Sequence, residues 1–201
     1  GVIQGVFPAL PERYAGAPVE DWGRALILQS LADLHLHAPQ YPLMGTGMDL
    51  PLLEWLNAYA FPTEARYADP DYAREVYRLL SRALAASGAP RASMFSSLHT
   101  AAGITGFVGK VNMDRNSAPG LLQETTEESR RETLRWLEAC QDFPHIKPIL
   151  TPRFIPSCTD GLMTFLGKLA QERGLPAQSH LSENGAEMDW VRRLHPDCAQ
   201  Y

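Results

Sequence analysis

The sequence lacks the features that mark membrane proteins and disulfide-rich secreted proteins. No apolar run approaches the roughly 18 residues that a membrane-spanning helix needs, and the N-terminus does not show the charged and then apolar pattern of a secretory signal. The three cysteines, Cys140, Cys158 and Cys198, are odd in number, widely spaced and without a C-x-x-C pair. This pattern indicates reduced thiols rather than a disulfide framework or a zinc knuckle, so we predict a cytoplasmic protein without a membrane partner.

The sequence also lacks an excess of positive charge. It contains 18 Lys and Arg against 23 Asp and Glu, which gives a formal net charge of -5. A protein that binds the phosphates of nucleic acids normally carries a basic patch or an excess of basic residues, so we predict no nucleic-acid partner. With 45% apolar and 20% charged residues, the 201 residues have the composition of an ordinary soluble globular protein.

Two histidines close together follow a short apolar stretch near the N-terminus. His35 and His37 are two residues apart, and side chains at that spacing point to the same face of an extended strand. Two imidazoles at one point suit a borderline transition metal such as zinc. On these two residues alone, a pair of solvated strand histidines is an equally good interpretation.

Two further apolar, strand-like runs end in polar or charged residues of the kinds that bind metals, transfer protons or bind substrates. His180 and Glu183 follow one run, and Arg153 ends another. The simpler interpretations are a helix N-terminal charge for Glu183 and an ion pair with a carboxylate for Arg153. Since a helical pattern follows each of the three strand ends, we predict a TIM-type (β/α) barrel, in which active sites gather at the C-terminal ends of the strands.

Alternating apolar segments predict an α/β fold from residue 31 onward. Pro148 counts against the fourth predicted strand because proline removes a ladder donor. The strands are predicted at residues 31–37, 91–97, 104–111, 146–151 and 176–181. The helices are predicted at residues 52–56 (ending before Pro62), at 71–86, after a capping box of Thr125 and Glu128, from Thr159 or Asp160 to Gly174, and at 186–194.

The first 29 residues do not show the alternation of strand and helix that is predicted for the rest of the chain. Residues 1–6 and 25–28 look like short strands separated by an acidic loop with Pro and Gly, and two strands need a partner to be stable. We therefore predict that residues 1–29 are part of a small β domain and that residues 30–201 form the first portion, about five β/α units, of a barrel.

Six segments together resemble the guanine deaminases of the amidohydrolase superfamily. Any one of them is shared with other amidohydrolases, whereas the set in this order is specific to guanine deaminases. The resemblance runs through nearly the whole chain, in residues 35–41 (HLHAPQY), 52–56 (LLEWL), 61–65 (FPTEA), 108–114 (VGKVNMD), 151–154 (TPRF) and 180–184 (HLSEN).

The resemblance implies a zinc-dependent enzyme that hydrolyses guanine, a small-molecule purine, to xanthine and ammonia, with Fe²⁺ as another metal to consider. It also implies a metal-dependent hydrolase barrel and a homodimer. By matching positions, it implies that three residues are metal ligands, that Glu183 is the proton shuttle, and that three residues bind the purine. The implied ligands are His35, His37 and His180, and the implied purine-binding residues are Gln40, Arg153 and Phe154.

The resemblance is incomplete in a way that keeps two alternatives open. A closed barrel needs eight strands and about 250 residues, whereas five strands are predicted here. In addition, the family's further histidine and aspartate ligands have no match in the sequence. The second and third predicted strands are also joined, near His99, by fewer residues than a crossover needs. The alternatives are an amidohydrolase acting on another heterocycle and an inactive fragment.

Overall fold

A parallel sheet forms the centre of the fold. In the computed structural model, which describes residues 3–96, 105–120 and 122–198, the first four strands lie side by side in chain order. The strands are β1 (Ala32–His37), β2 (Arg91–Ser96), β3 (Thr105–Asn112), β4 (Ile146–Pro148) and β5 (Thr151–Pro152), which also pairs with β3. Parallel neighbours in chain order confirm the predicted α/β fold, a partial barrel of the TIM type.

Prolines interrupt the sheet on its later side. The predicted fourth strand is divided into β4 and β5, which end at Pro148 and Pro152, residues that have no N–H to donate. The predicted fifth strand, residues 176–181, is present only as one parallel bridge between Leu150 and Ala177. This segment still follows the sheet, because the N–H of His180 donates to the carbonyl of Arg153 at 2.9 Å.

Four of the predicted helices are present, and each has a side-chain cap at its N-terminus. Asp69, Thr125, Thr159 and Asn184 each accept a hydrogen bond at a helix N-terminus, and Thr125 with Glu128 forms a complete capping box. Gly174, with φ of 62°, ends the third of these helices in the left-handed conformation. The helices are α3 (Pro70–Ala86), α4 (Thr126–Ala139), α5 (Asp160–Arg173) and α6 (Gly185–Leu194).

The predicted end of the first helix before Pro62 is wrong. The chain stays helical through α1 (Leu52–Trp55), a π-helical turn (Leu56–Ala60) and α2 (Phe61–Ala65). Pro62 therefore lies in the first turn of α2, directly after the π-helical turn, and does not end the helical segment. The longer helical segment carries Glu64 into the interior of the protein.

The predicted strands near the N-terminus are also absent from the described residues. Between residues 3 and 31 the structure contains one 3₁₀ turn, Glu12–Tyr14, and no strand. Ile3, Val6, Leu26 and Ile27 are each more than three-quarters exposed, since no described segment pairs with them. The division between residues 1–29 and 30–201 stays a prediction.

Two apolar clusters attach the helices to the sheet. The first packs α3 on β2 and β3 through Val76, Leu80, Met94 and Val108, and the second joins α4 to α5 around Leu137, Leu150, Leu162 and Leu166. None of the helices in the described ranges is long and apolar enough to cross a membrane. The connection from β2 to β3, which includes His99, lies outside the described residues.

Candidate metal centre and ligand cavity

Three histidine side chains converge at the end of the sheet. His35 and His37 come from β1, and His180 comes from the segment that is bridged through Ala177 to Leu150, between β4 and β5. Their candidate ligand atoms all lie within 4.8 Å of one another, and the Nε2 atoms of His37 and His180 are 2.8 Å apart. In the described part of the chain, no other group of three or more His, Cys, Asp or Glu side chains converges in this way.

A main-chain hydrogen bond fixes the tautomer of His180. Its Nδ1 lies 2.6 Å from the carbonyl oxygen of Arg153. Because a carbonyl oxygen only accepts, Nδ1 carries the hydrogen and donates it, and in the neutral ring Nε2 keeps its lone pair. The lone pair of His180 is therefore available where the other two imidazoles meet, an arrangement common among metal-binding histidines.

Burial favours the neutral form of the His37 and His180 rings. Phe95, which is 1% exposed, packs against all three imidazoles with ring centroids 4.5–5.0 Å away. Burial lowers the pKa of His37 well below its ordinary value, and the charges of Arg153 and the other two histidines lower this pKa further. Burial also lowers the pKa of His180. Both rings are therefore neutral near pH 7, which is the form that binds a metal ion.

The donor set fits a transition metal. Three imidazole nitrogens suit zinc, whose Zn–N distances are about 2.0–2.1 Å, better than magnesium or calcium, which take oxygen ligands. Two nitrogens only 2.8 Å apart are close enough to share one ion. Catalytic zinc sites often have three protein ligands and an open position for water. These residues therefore form a candidate metal site.

A cavity of about 180 Å³ opens beside the three histidines. One wall is apolar and comes from the helical segment that begins at Leu52; Phe154, which packs edge-on against Trp190, forms another part of the lining. This volume lies below the roughly 300–1,000 Å³ of pockets that bind drug-sized ligands, so it suits a smaller molecule. The lining includes every residue predicted as part of a site, namely His35, His37, Gln40, Arg153, Phe154, His180 and Glu183.

Gln40 and Arg153 meet at a carboxylate that sequence reasoning missed. Arg153 donates to Glu64 from Nη1 at 2.6 Å and from Nη2 at 3.2 Å, and Gln40 donates to Glu64 from Nε2 at 2.7 Å. Arg153 therefore forms an ion pair with a carboxylate and also lines the cavity. Glu64 lies between two predicted helices and has no local sign of burial, so only its place in the resembling segment 61–65 pointed to it.

A second buried carboxylate holds the loop of Glu183. Glu183 is exposed at the cavity. Its main-chain N–H donates to the Glu187 carboxylate at 2.8 Å, and the main-chain N–H of Ser182 donates to the same carboxylate at 3.1 Å. Glu187 is 2% exposed and lies in the first turn of α6. It therefore fixes the backbone that carries Glu183, a role that sequence analysis did not predict.

Comparison with known proteins gives matches over most of the chain. Residues 26–201 match the amidohydrolase family. A guanine deaminase from Mus musculus is 43% identical over 187 residues, which cover 87% of this chain and 41% of that protein.

Solved structures match as well. The crystal structure of guanine deaminase from C. acetobutylicum with bound guanine in the active site has a TM-score of 0.90 and 41% identity, covering 96% of this chain and 49% of that chain. The E. coli guanine deaminase structure has a TM-score of 0.79 and 34% identity, covering 86% of this chain and 42% of that chain. The chain thus spans less than half the length of these relatives.

Proposed function

Because the chain belongs to the amidohydrolase family, we propose that it carries the metal-binding and purine-binding part of a guanine deaminase, which hydrolyses guanine to xanthine and ammonia. The observation that carries this proposal is the convergence of all seven predicted site residues on one small cavity. A structural relative 41% identical to this chain, with guanine in its active site, supports the choice of substrate.

We propose that the metal is zinc and that His35, His37 and His180 hold it. The neutral imidazoles of His37 and His180 and the tautomer of His180 support this assignment. When bound, zinc lowers the pKa of its water to about 7, so that hydroxide is available at neutral pH. The predicted cytoplasmic location and homodimeric assembly stay predictions.

We propose that Glu183 moves the proton during hydrolysis. Its carboxylate accepts a proton from the attacking water and delivers it to the purine ring nitrogen next to the carbon under attack. It then takes the proton of the newly added hydroxyl group and passes it to the amino group, so that the C–N bond breaks, ammonia leaves and the carbonyl group of xanthine forms. The position of Glu183 on the cavity wall, beside the histidines, supports this role. The two hydrogen bonds from the loop to Glu187 keep its backbone in place, so little reorganisation is needed during the reaction.

We propose that Gln40 and Arg153 bind the polar edge of the purine and that Phe154 contributes to the cavity wall beside its ring. An amide and a guanidinium together offer an acceptor and several donors to a planar lactam. Both side chains line the cavity and are held by Glu64, which supports a fixed arrangement of donors and acceptors.

The experiment that tests this function is Glu183→Gln in the zinc-loaded protein. We expect xanthine formation from guanine to fall by about 10²–10⁴-fold, because an amide cannot shuttle the proton, while the zinc content stays unchanged. Glu138→Gln, an exposed position on α4, makes the same chemical change away from the cavity and serves as the control.

The outcomes separate the alternatives. Full activity of Glu183→Gln would contradict the proton-shuttle role. If the unsubstituted, zinc-loaded protein converted no guanine, the deaminase proposal would be wrong. Turnover of another heterocycle would then indicate a different substrate, and turnover of none would indicate an inactive fragment.

A further inference from the structure

Glu64 is a buried carboxylate that connects two residues of the cavity. It lies on α2, is 5% exposed, and receives hydrogen bonds on both carboxylate oxygens. Arg153 binds both oxygens, and Gln40 binds Oε1. Arg153 is itself 3% exposed, and its guanidinium carbon lies 5.1 Å from the ring centroid of Phe61. The two charges compensate each other in the interior, where either one alone would be costly.

The carboxylate determines which way the Gln40 amide points. An ionised carboxylate only accepts hydrogen bonds, so the amide nitrogen, and not the amide oxygen, must face Glu64. Turning the amide over would place two acceptor oxygens against each other. The atom of the Gln40 amide that is not used by Glu64 is therefore Oε1, an acceptor, on a side chain that lines the cavity.

The same carboxylate leaves Arg153 as a donor. A guanidinium has five N–H donors, of which the paired contact with Glu64 uses two and a contact of Nη1 with Met113 Sδ at 3.9 Å uses a third. A ligand in the cavity therefore meets an acceptor from Gln40 and donors from Arg153. This polarity matches a ring edge on which C=O lies next to N–H, as in guanine. In the same ring position, adenine has an amino group in place of the C=O and an unprotonated nitrogen in place of the N–H, so its edge presents a donor to Arg153 and an acceptor to Gln40, which this polarity opposes.

We infer that Glu64 is a positioning residue for substrate discrimination: it fixes the donor and acceptor order of Gln40 and Arg153 so that the cavity accepts a lactam purine and rejects an amino purine. This inference rests on the proposed function, because it concerns the same cavity. Glu64 acts through its two partners and does not touch the substrate.

The test is Glu64→Gln, which keeps the shape but can both donate and accept. The Gln40 amide then gains a second orientation, and Arg153 loses its ionic partner. We expect the KM for guanine to rise about tenfold or more with a smaller change in kcat, because the change affects binding of the ring edge. We also expect inhibition by adenine, negligible in the unsubstituted protein, to approach that by guanine analogues. Glu138→Gln is again the matched control.

A second variant separates positioning from a general structural effect. Gln40→Met removes both polar atoms of the amide but leaves the pair between Glu64 and Arg153 intact. If Glu64 acts through Gln40, the double variant loses less discrimination than the product of the two single losses. If the loss of discrimination in the double variant equals the product of the two single losses, the inference is overturned. A Glu64→Gln protein with an unchanged KM for guanine and unchanged rejection of adenine would overturn it as well.

Two controls keep the result decisive. If thermal unfolding shows that Glu64→Gln does not fold, Gln40→Met alone decides, since full discrimination in that variant would overturn the inference. If the unsubstituted protein has no turnover, the proposed function fails by itself. Binding of guanine and adenine, followed through the fluorescence of Trp55 in the cavity wall, then tests discrimination directly.

Discussion

Arg153 serves two parts of the cavity through two different groups. Its main-chain carbonyl accepts the hydrogen bond that orients His180, while its guanidinium binds Glu64. The residue after β5 therefore influences both a candidate metal ligand and the polar edge of the cavity. A substitution of the Arg153 side chain removes the second influence and leaves the first, because the carbonyl remains.

At the residue scale, we expect His180→Ala to abolish stoichiometric metal binding. Loss of a residue that merely orients a ligand costs about 10–100-fold in metal affinity, so loss of a ligand itself costs at least as much. Zinc content measured after dialysis falls from about one per chain to a small fraction of that value. His145→Ala, at an exposed position, keeps its zinc. Unchanged zinc affinity in His180→Ala would contradict the three-histidine site.

At the scale of elements, Asp114 joins the starts of two helices. Its carboxylate accepts hydrogen bonds from the Thr126 hydroxyl at 2.7 Å, from the Thr159 N–H at 2.7 Å and from the Thr159 hydroxyl at 2.6 Å. Thr159 in turn caps α5 by accepting from Leu162. Asp114 follows β3, so one carboxylate holds the sheet, α4 and α5 together. The structure thus gives Asp114 a structural contact rather than a place in the cavity lining.

We expect Asp114→Ala to lower the free energy of unfolding by about 2–4 kcal/mol. The substitution removes several hydrogen bonds to a charged acceptor, each worth about 1.5–3 kcal/mol but not additive, and leaves the Thr159 N–H without its partner. Urea denaturation monitored by circular dichroism measures the effect. Asp142→Ala, at an exposed site after α4, changes stability by less than about 0.5 kcal/mol. Equal stability of the two variants would show that the link contributes nothing.

At the scale of the whole molecule, the described sheet has an open side. Among the described residues, β1 pairs with β2 alone, whereas the first strand of a closed barrel also pairs with the last. The large exposed apolar residues concentrate before and within β1, including Leu26, Ile27, Leu28 and Leu34. The fold is a partial barrel, in agreement with a match to less than half the length of the relatives.

The two buried thiols make the free energy of unfolding depend on pH in the alkaline range. Burial raises the pKa of Cys140 and of Cys158 from 9.0 to about 11. Between these pH values the unfolded chain has lost thiol protons that the folded chain retains, so the free energy of unfolding falls as pH rises from about 9 to about 11.

Urea unfolding of matched variants across that pH range measures this slope. Cys158→Ala has a shallower decline than the unsubstituted protein, because one shifted thiol is gone. Cys198→Ala, at an exposed position, keeps the full decline. An identical slope in all three proteins would show that the buried thiols do not contribute.

Local features of the sequence determined most of the helices and part of the candidate site. The capping box of Thr125 and Glu128 and the stop at Gly174 depend on residues within one turn of each other, so they were predicted correctly. The pairing of His35 with His37 likewise needs only the two-residue period of a strand. The positions of Gln40, Arg153 and Glu183 at the cavity followed from strand ends and from the family resemblance.

Only the tertiary structure decided the contacts between distant residues. His37 and His180 are 143 positions apart, and Glu64 and Arg153 are 89 positions apart, so neither contact has a local sequence signal. The same limit explains why the predicted strand at residues 25–28 is absent: these residues have strand-like composition, but a strand forms only where another segment supplies hydrogen bonds. Helix caps depend on neighbours along the chain, whereas ion pairs, metal sites and sheet edges depend on which distant segments the fold brings together.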